Sequence, residues 1–375
     1  SAIDTTASDG VALEHEATDS TVQGNDFSAV GADEGDNLVT TFGADTSLSA
    51  NEGVSVRSPD ALSTSLQPVV AFASSGQTIE VESGTYHGAT ITTDGVSIVG
   101  STDTTIDTSQ QNLIVKGAED VTISDLNVEG DVESNSFAVT VRKGGSATVE
   151  DTTFDGVYGA VQTFSDGSSV VVDNITVTDS VAGVGLQSDT NDVVRDSDFG
   201  VNSQGIGVFT SDNTVVENNN ITVDTDLLEK DPVFDVSRAI DTQATNVTIT
   251  DNRIESDDAG VKVEGGSDLT VTSNTFTDTE RPLEQSVDLI EPEAFVSANT
   301  IDRVVLASSE RDVYSTIGSA VGSAEGEATV TVHDGTYTES VAIEKPLTLT
   351  GADQPTIEGR IDVRHDGVSV KGFEI

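Results

Sequence analysis

Residues 121–128 read VTISDLNV, and residues 247–254 read VTITDNRI. The same eight-residue pattern returns at 147–154, 170–177, 192–199, 214–221, 269–276 and 294–301. Its central apolar residues are Ile123, Val149, Val172, Val194, Val216, Ile249, Val271 and Val296. Successive gaps are 26, 23, 22, 22, 33, 22 and 25 residues, and the long one holds an insertion over Asp224–Ser237. Between these units lies a second recurring pattern, at Gly159–Val161, Gly183–Leu186, Gly205–Val208, Ala239–Ile240 and Gly260–Val263. Each period therefore holds two or three short strands with sharp turns. No helix-length segment separates them, which excludes a doubly wound α/β sheet. A nearly constant period is what a solenoid requires, because each coil must place the same side chains inward as the last. The expected fold is all-β, a parallel β-helix with Val and Ile stacked into aliphatic columns.

Working outward, the turn after the first strand places Asn219, Asn252, Asn274 and Asn299 in register. Asn tolerates the left-handed conformation and can hydrogen-bond along a stack, so these four read as a structural ladder. A short capping helix is expected over Pro59–Ala73, ended by Gly76. Residues 78–86 (TIEVESGTY) match 329–337 (TVTVHDGTY) at an offset of 251. This predicts three regions: an acidic extended arm over 1–58, a β-helix with its capping helix over 59–305, and the start of a second, incomplete β-helix over 306–375.

Charge bounds the function. Sixty-six acidic residues face 16 basic ones, a formal net charge of −50 in 375 residues. Self-repulsion of that size strains a compact state in ordinary salt. In molar salt the Debye length shrinks to about 3 Å and the strain fades. The composition suits an extreme halophile and excludes nucleic acid as a partner, since phosphate neutralisation needs cations. With no Cys, neither disulfides nor thiolate metal sites are possible. No apolar run is long enough to span a membrane. The chain begins at Ser1 and has no Met, which predicts a removed secretory leader. The sequons at Asn174, Asn220 and Asn246 agree with an extracellular, glycosylated protein.

The stretch 314–359, with HDGTYTESV at 333–341 and KPLTLTG at 345–351, resembles the opening of pectin-lyase-like proteins. The resemblance extends over roughly 60–375. It implies a right-handed parallel β-helix, in a superfamily of polysaccharide lyases, hydrolases, esterases and noncatalytic surface proteins. Asp257 and Asp258 are similar to the paired aspartates of polygalacturonase-type glycosidases, where two carboxylates act as acid and base. The His-containing turn that should follow is missing. Lyases of this fold use a basic residue beside calcium, which makes Arg253 a candidate. The Trp of pectin-esterase motifs is absent. Asp224, Asp226, Glu229 and Asp231 put several carboxylates on the insertion, an oxygen-rich set suited to calcium, though no cofactor is required.

The function expected on these grounds is a noncatalytic structural or adhesive protein of the cell surface, such as a surface-layer or filament subunit. Its partners would be copies of itself, other surface proteins or glycans. The alternative is a secreted polysaccharide lyase or glycoside hydrolase.

Overall fold

The computed structural model describes residues 11–13, 21–24, 37–41, 47–49, 54–58, 61–101, 103–164, 166–187, 191–227 and 237–374. Most of the expected arm over 1–58 lies outside these residues. The chain divides into two compact units, Ser1–Ser197 and Asp198–Ile375.

In the first unit three stacks of parallel strands run side by side. One stack aligns Ile79, Ile98, Ile123, Val149, Val172 and Val194 on successive rungs. A second aligns Tyr86, Ile106, Val128, Phe154 and Val177. The third aligns Leu113, Val139, Val161 and Val184. All these side chains are buried. The second unit repeats the plan, with Val216, Ile249 and Val271 in one stack. Phe199, Ile221, Ile254, Phe276 and Ile301 form another, and Ile206, Ile240, Val261 and Leu283 the third. Period-two alternation explains the register: a slip of one residue would turn every Val and Ile to solvent. The fold is thus the all-β parallel β-helix that the repeat implies.

Each coil bends at a left-handed residue. These are Asp125, Asp151, Asn174 and Asp196 in the first unit, and Asn218, Asp251 and Ser273 in the second, with φ of 49–61°. The expected left-handed residues were the ladder asparagines themselves. The strain instead falls one residue earlier, which frees Asn219, Asn252 and Asn274 to point inward.

Two expectations for local structure need correction. The helix placed over Pro59–Ala73 is shorter, Leu66–Phe72, because Ala61–Ser63 pairs as a strand with Val56–Arg57. The repeat at 294–301 is not a full coil. Pro292–Ala298 forms a helix with Pro at its first turn, burying Phe295 rather than placing Val296 on a rung. Only Thr300–Ile301 rejoins the stack.

Beyond this helix, Val305–Ala307 pairs antiparallel with Val313–Tyr314 and Thr329–Val332. Parallel stacking then resumes through Val330, Leu349 and Val370. The helix Ile317–Ser323, capped by Thr316 accepting the Ser319 N–H at 3.2 Å, buries Ile317, Ala320 and Val321 in this core.

Candidate functional site

The asparagine column is a continuous hydrogen-bonded chain. Asn219 Nδ2 donates to Asn252 Oδ1 at 3.0 Å, Asn252 Nδ2 to Asn274 Oδ1 at 2.9 Å, and Asn274 Nδ2 to Asn299 Oδ1 at 3.0 Å. The same oxygens accept the backbone N–H groups of Asn219, Asn252 and Asn274. Asn252 Nδ2 also reaches the Val216 and Thr250 carbonyls, both at 2.9 Å. Asn219, Asn252 and Asn274 are buried. They satisfy backbone groups that the bend would otherwise orphan.

Asp257 and Asp258 are engaged by different partners. Asp257 is exposed and accepts hydrogen bonds from Thr225 N and Oγ1, each at 2.8 Å. Asp258 accepts from Arg281 Nε at 2.9 Å and also from Nη2. Arg253 is exposed on the strand Arg253–Ser256, in register with Asn220 and Thr275. In the insertion, Asp224 Oδ1 accepts the Asp226 N–H at 2.8 Å, a local turn. Glu229 and Asp231 lie outside the described residues. Among the described residues no group of three or more His, Asp or Glu is placed to hold a metal ion. The sequon residues Asn174, Asn220 and Asn246 are all exposed. Asn174 Nδ2 donates to Asp151 Oδ1 at 2.5 Å, and Asn246 Nδ2 to Asn213 Oδ1 at 2.6 Å.

What the coil does gather is a ledge of charge on Arg238–Thr242, Ala259–Val263 and Arg281–Gln285. Asp241, Lys262 and Glu284 occupy the same register position on these three rungs. Lys262 Nζ lies 3.0 Å from Glu264 and 3.4 Å from Glu284. Arg281 bridges Asp258 and Glu284, the latter at 3.3 Å. Arg238 holds Asp241 at 2.6 Å and lies 3.7 Å from Glu264. Three of the chain's 16 basic residues thus meet on neighbouring rungs.

Asp241 lies beneath these side chains, only 1% exposed. Its Oδ2 accepts from Arg238, while Oδ1 is buried with no hydrogen-bond partner among the described residues. Burial pushes its pKa up and the charge of Glu264 adds to that, against the opposing pull of Arg238 and Lys262. Asp312 borders the ledge, accepting the Gln285 N–H at 2.8 Å. Its pKa is also raised, chiefly by burial and then by Glu284, while the Gln285 bond and Arg281 oppose. Arg281 is held charged: burial works against it, but Asp258, Glu284 and Asp312 outweigh that cost. The ledge therefore combines fixed cations, ionisable carboxylates and a carboxyl biased toward its protonated form. Such a set can bind hydroxyl-rich or anionic groups and move protons.

Sequence reasoning missed the ledge. Its members sit on different rungs, and its one signal is a charged residue between inward apolar ones, as in Val261-Lys262-Val263.

Residues 111–276 match the family model described as a right handed beta helix region, so this stretch is a right-handed β-helix, in agreement with its parallel stacked rungs. No curated protein matches the chain. Among solved structures, the A-module of mannuronan C-5 epimerase AlgE4 from Azotobacter vinelandii is similar at 13% identity. The alignment covers 79% of this chain and 91% of that one, with a TM-score of 0.39. The tailspike protein of E. coli bacteriophage HK620, in complex with a pentasaccharide, is similar at 10% identity. It covers 81% of this chain and 76% of its own, with a TM-score of 0.40. The alginate lyase AlyF-OU02 is similar at 12% identity over 80% and 83%, with a TM-score of 0.36. At these values none of the likenesses transfers an activity. Among the described residues no helix is long and apolar enough to cross a membrane.

Proposed function

We propose that the protein acts on a polysaccharide, with the ledge of Arg238, Asp241, Lys262, Glu264, Arg281 and Glu284 as its site. One observation carries this reading. On a chain of net charge −50, scarce cations are set on consecutive rungs above a buried carboxyl with an unpartnered oxygen. A solenoid face suits an extended polymer, because neighbouring rungs offer successive contacts at about 4.8 Å intervals. Lys262 and Arg281 contact the substrate, Glu264 and Glu284 exchange protons with it, and Asp241 positions Arg238 from below. The protein works outside the cell, in brine. The exposed sequons and the acidic composition support that placement.

The test is incubation with acidic and neutral polysaccharides in molar potassium chloride, reading new reducing ends and unsaturated ends. Turnover that falls about 100-fold or more in Lys262→Ala or Arg281→Ala supports the ledge. Turnover unchanged in both variants places the chemistry elsewhere. No turnover on any polymer would favour a second reading, a noncatalytic surface subunit. That reading is supported by the mutual ion pairing of the ledge, with Lys262 clamped between Glu264 and Glu284.

A further inference from the structure

A cavity of about 340 Å³ opens in the first unit beside the helix Leu66–Phe72 and the strand Gly84–His87. We infer that it is a binding subsite for a neutral sugar residue, built from Gln67, Gln111, His87 and Thr85 against an apolar wall of Leu66 and Tyr86. It is independent of the ledge, none of whose residues belongs to this unit.

Four observations carry the inference. The volume falls in the range of small-molecule sites. Among the described residues no Asp, Glu, Lys or Arg lines the cavity, although 22% of the chain is charged. The described lining offers an anionic ligand no Lys or Arg and a cationic ligand no carboxylate, which favours a neutral ligand. The polar groups are also preorganised: Gln67 Oε1 accepts the Thr90 N–H at 2.8 Å and Gln111 Nε2 at 3.2 Å. That bond leaves the Nε2 end of Gln67 and the Oε1 end of Gln111, a donor and an acceptor, available to hydroxyl groups. Finally, the backbone is closed tightly beneath. Gly88 N donates to Gln111 O at 3.0 Å, and a Cβ at Gly88 would stand 2.2 Å from that oxygen. Only glycine permits this approach, which holds His87 and Gln111 side by side. The apolar wall meets the C–H face of a sugar ring, and the amides, the imidazole and the Thr85 hydroxyl meet its edge.

The experiment is saturation-transfer NMR of the full chain in molar potassium chloride with D-glucose, D-galactose, D-mannose and D-galacturonate. At least one neutral hexose should bind saturably and more tightly than galacturonate. Its affinity should drop about tenfold in Gln111→Ala, the loss of one oriented hydrogen-bonding side chain. Thr85→Val, at an exposed position, gives the same reading if Gln111→Ala does not fold. The inference is overturned if no neutral hexose binds, if galacturonate binds better, or if both variants bind as the wild type does.

Discussion

One coil position is solved in two ways. Just after the left-handed bend, the first unit buries Leu126, Thr152, Ile175 and Ser197, whereas the second buries Asn219, Asn252 and Asn274 and continues to Asn299. In the first unit hydroxyl groups meet the orphaned groups, within a rung and between one pair of rungs, with no continuous side-chain chain among those described. Ser197 Oγ accepts the Ile175 N–H at 3.1 Å and donates to Arg195 O at 2.6 Å, and Thr152 Oγ1 donates to Glu150 O at 2.8 Å. In the second unit each amide serves the rung beside it as well as its own. The column therefore tolerates apolar or amide side chains, provided the bend's backbone groups are satisfied. An amide ladder couples neighbouring rungs, and apolar stacking does so only by contact.

Breaking the ladder should have the largest effect. Asn252→Leu removes the donor to Val216 O and Thr250 O, and the acceptor for the Asn219 amide and backbone. Buried groups left unpaired cost about 1–3 kcal/mol each, so a loss of about 4 kcal/mol is expected in chemical denaturation. The matched change in the first unit, Ile175→Ala, should cost less, about 3 kcal/mol, since it leaves a cavity and no new orphan. Equal losses would mean that the amides add nothing beyond packing.

Asp241 sharpens the comparison through pH. Folding raises its pKa, so the native state holds this proton more tightly than the unfolded chain. Its contribution favours folding below the ordinary carboxyl value and is lost as pH rises through the raised one. Thermal melts of Asp241→Asn should gain on the wild type as pH climbs from about 4 toward neutrality. A gap that stays constant with pH would contradict the raised value. The smallest effect is expected at Arg195, whose pair with Asp173 at 2.6 Å is partly exposed. Arg195→Ala should cost less than about 1 kcal/mol in dilute buffer and nearly nothing in molar salt.

Inward residues were the legible ones. Val172, Val194 and Val216 recur because a rung must repeat its core, and the four asparagines recur because a bend must satisfy its backbone. The helix Pro292–Ala298 was hidden, because its sequence still carries the apolar spacing of a rung while Pro292 redirects the chain. The ledge was hidden for another reason. Arg238, Lys262 and Arg281 face outward, where the core imposes no periodicity, and only stacking across rungs brings them together. Asp257 and Asp258, chosen as a pair because they are neighbours in sequence, are bound to different rungs, Asp257 to Thr225 and Asp258 to Arg281.

Everything above depends on rung-to-rung register, which an engineered disulfide reads directly because the chain has no Cys of its own. Thr148 and Val171 are paired on adjacent rungs. Strand spacing puts such Cα atoms about 4.8 Å apart, within disulfide reach. Thr148→Cys with Val171→Cys should crosslink nearly completely under mild oxidation, whereas Thr148→Cys with Asp173→Cys, about 8 Å apart, should not. Efficient crosslinking of the second pair and not the first would contradict the stacked coil.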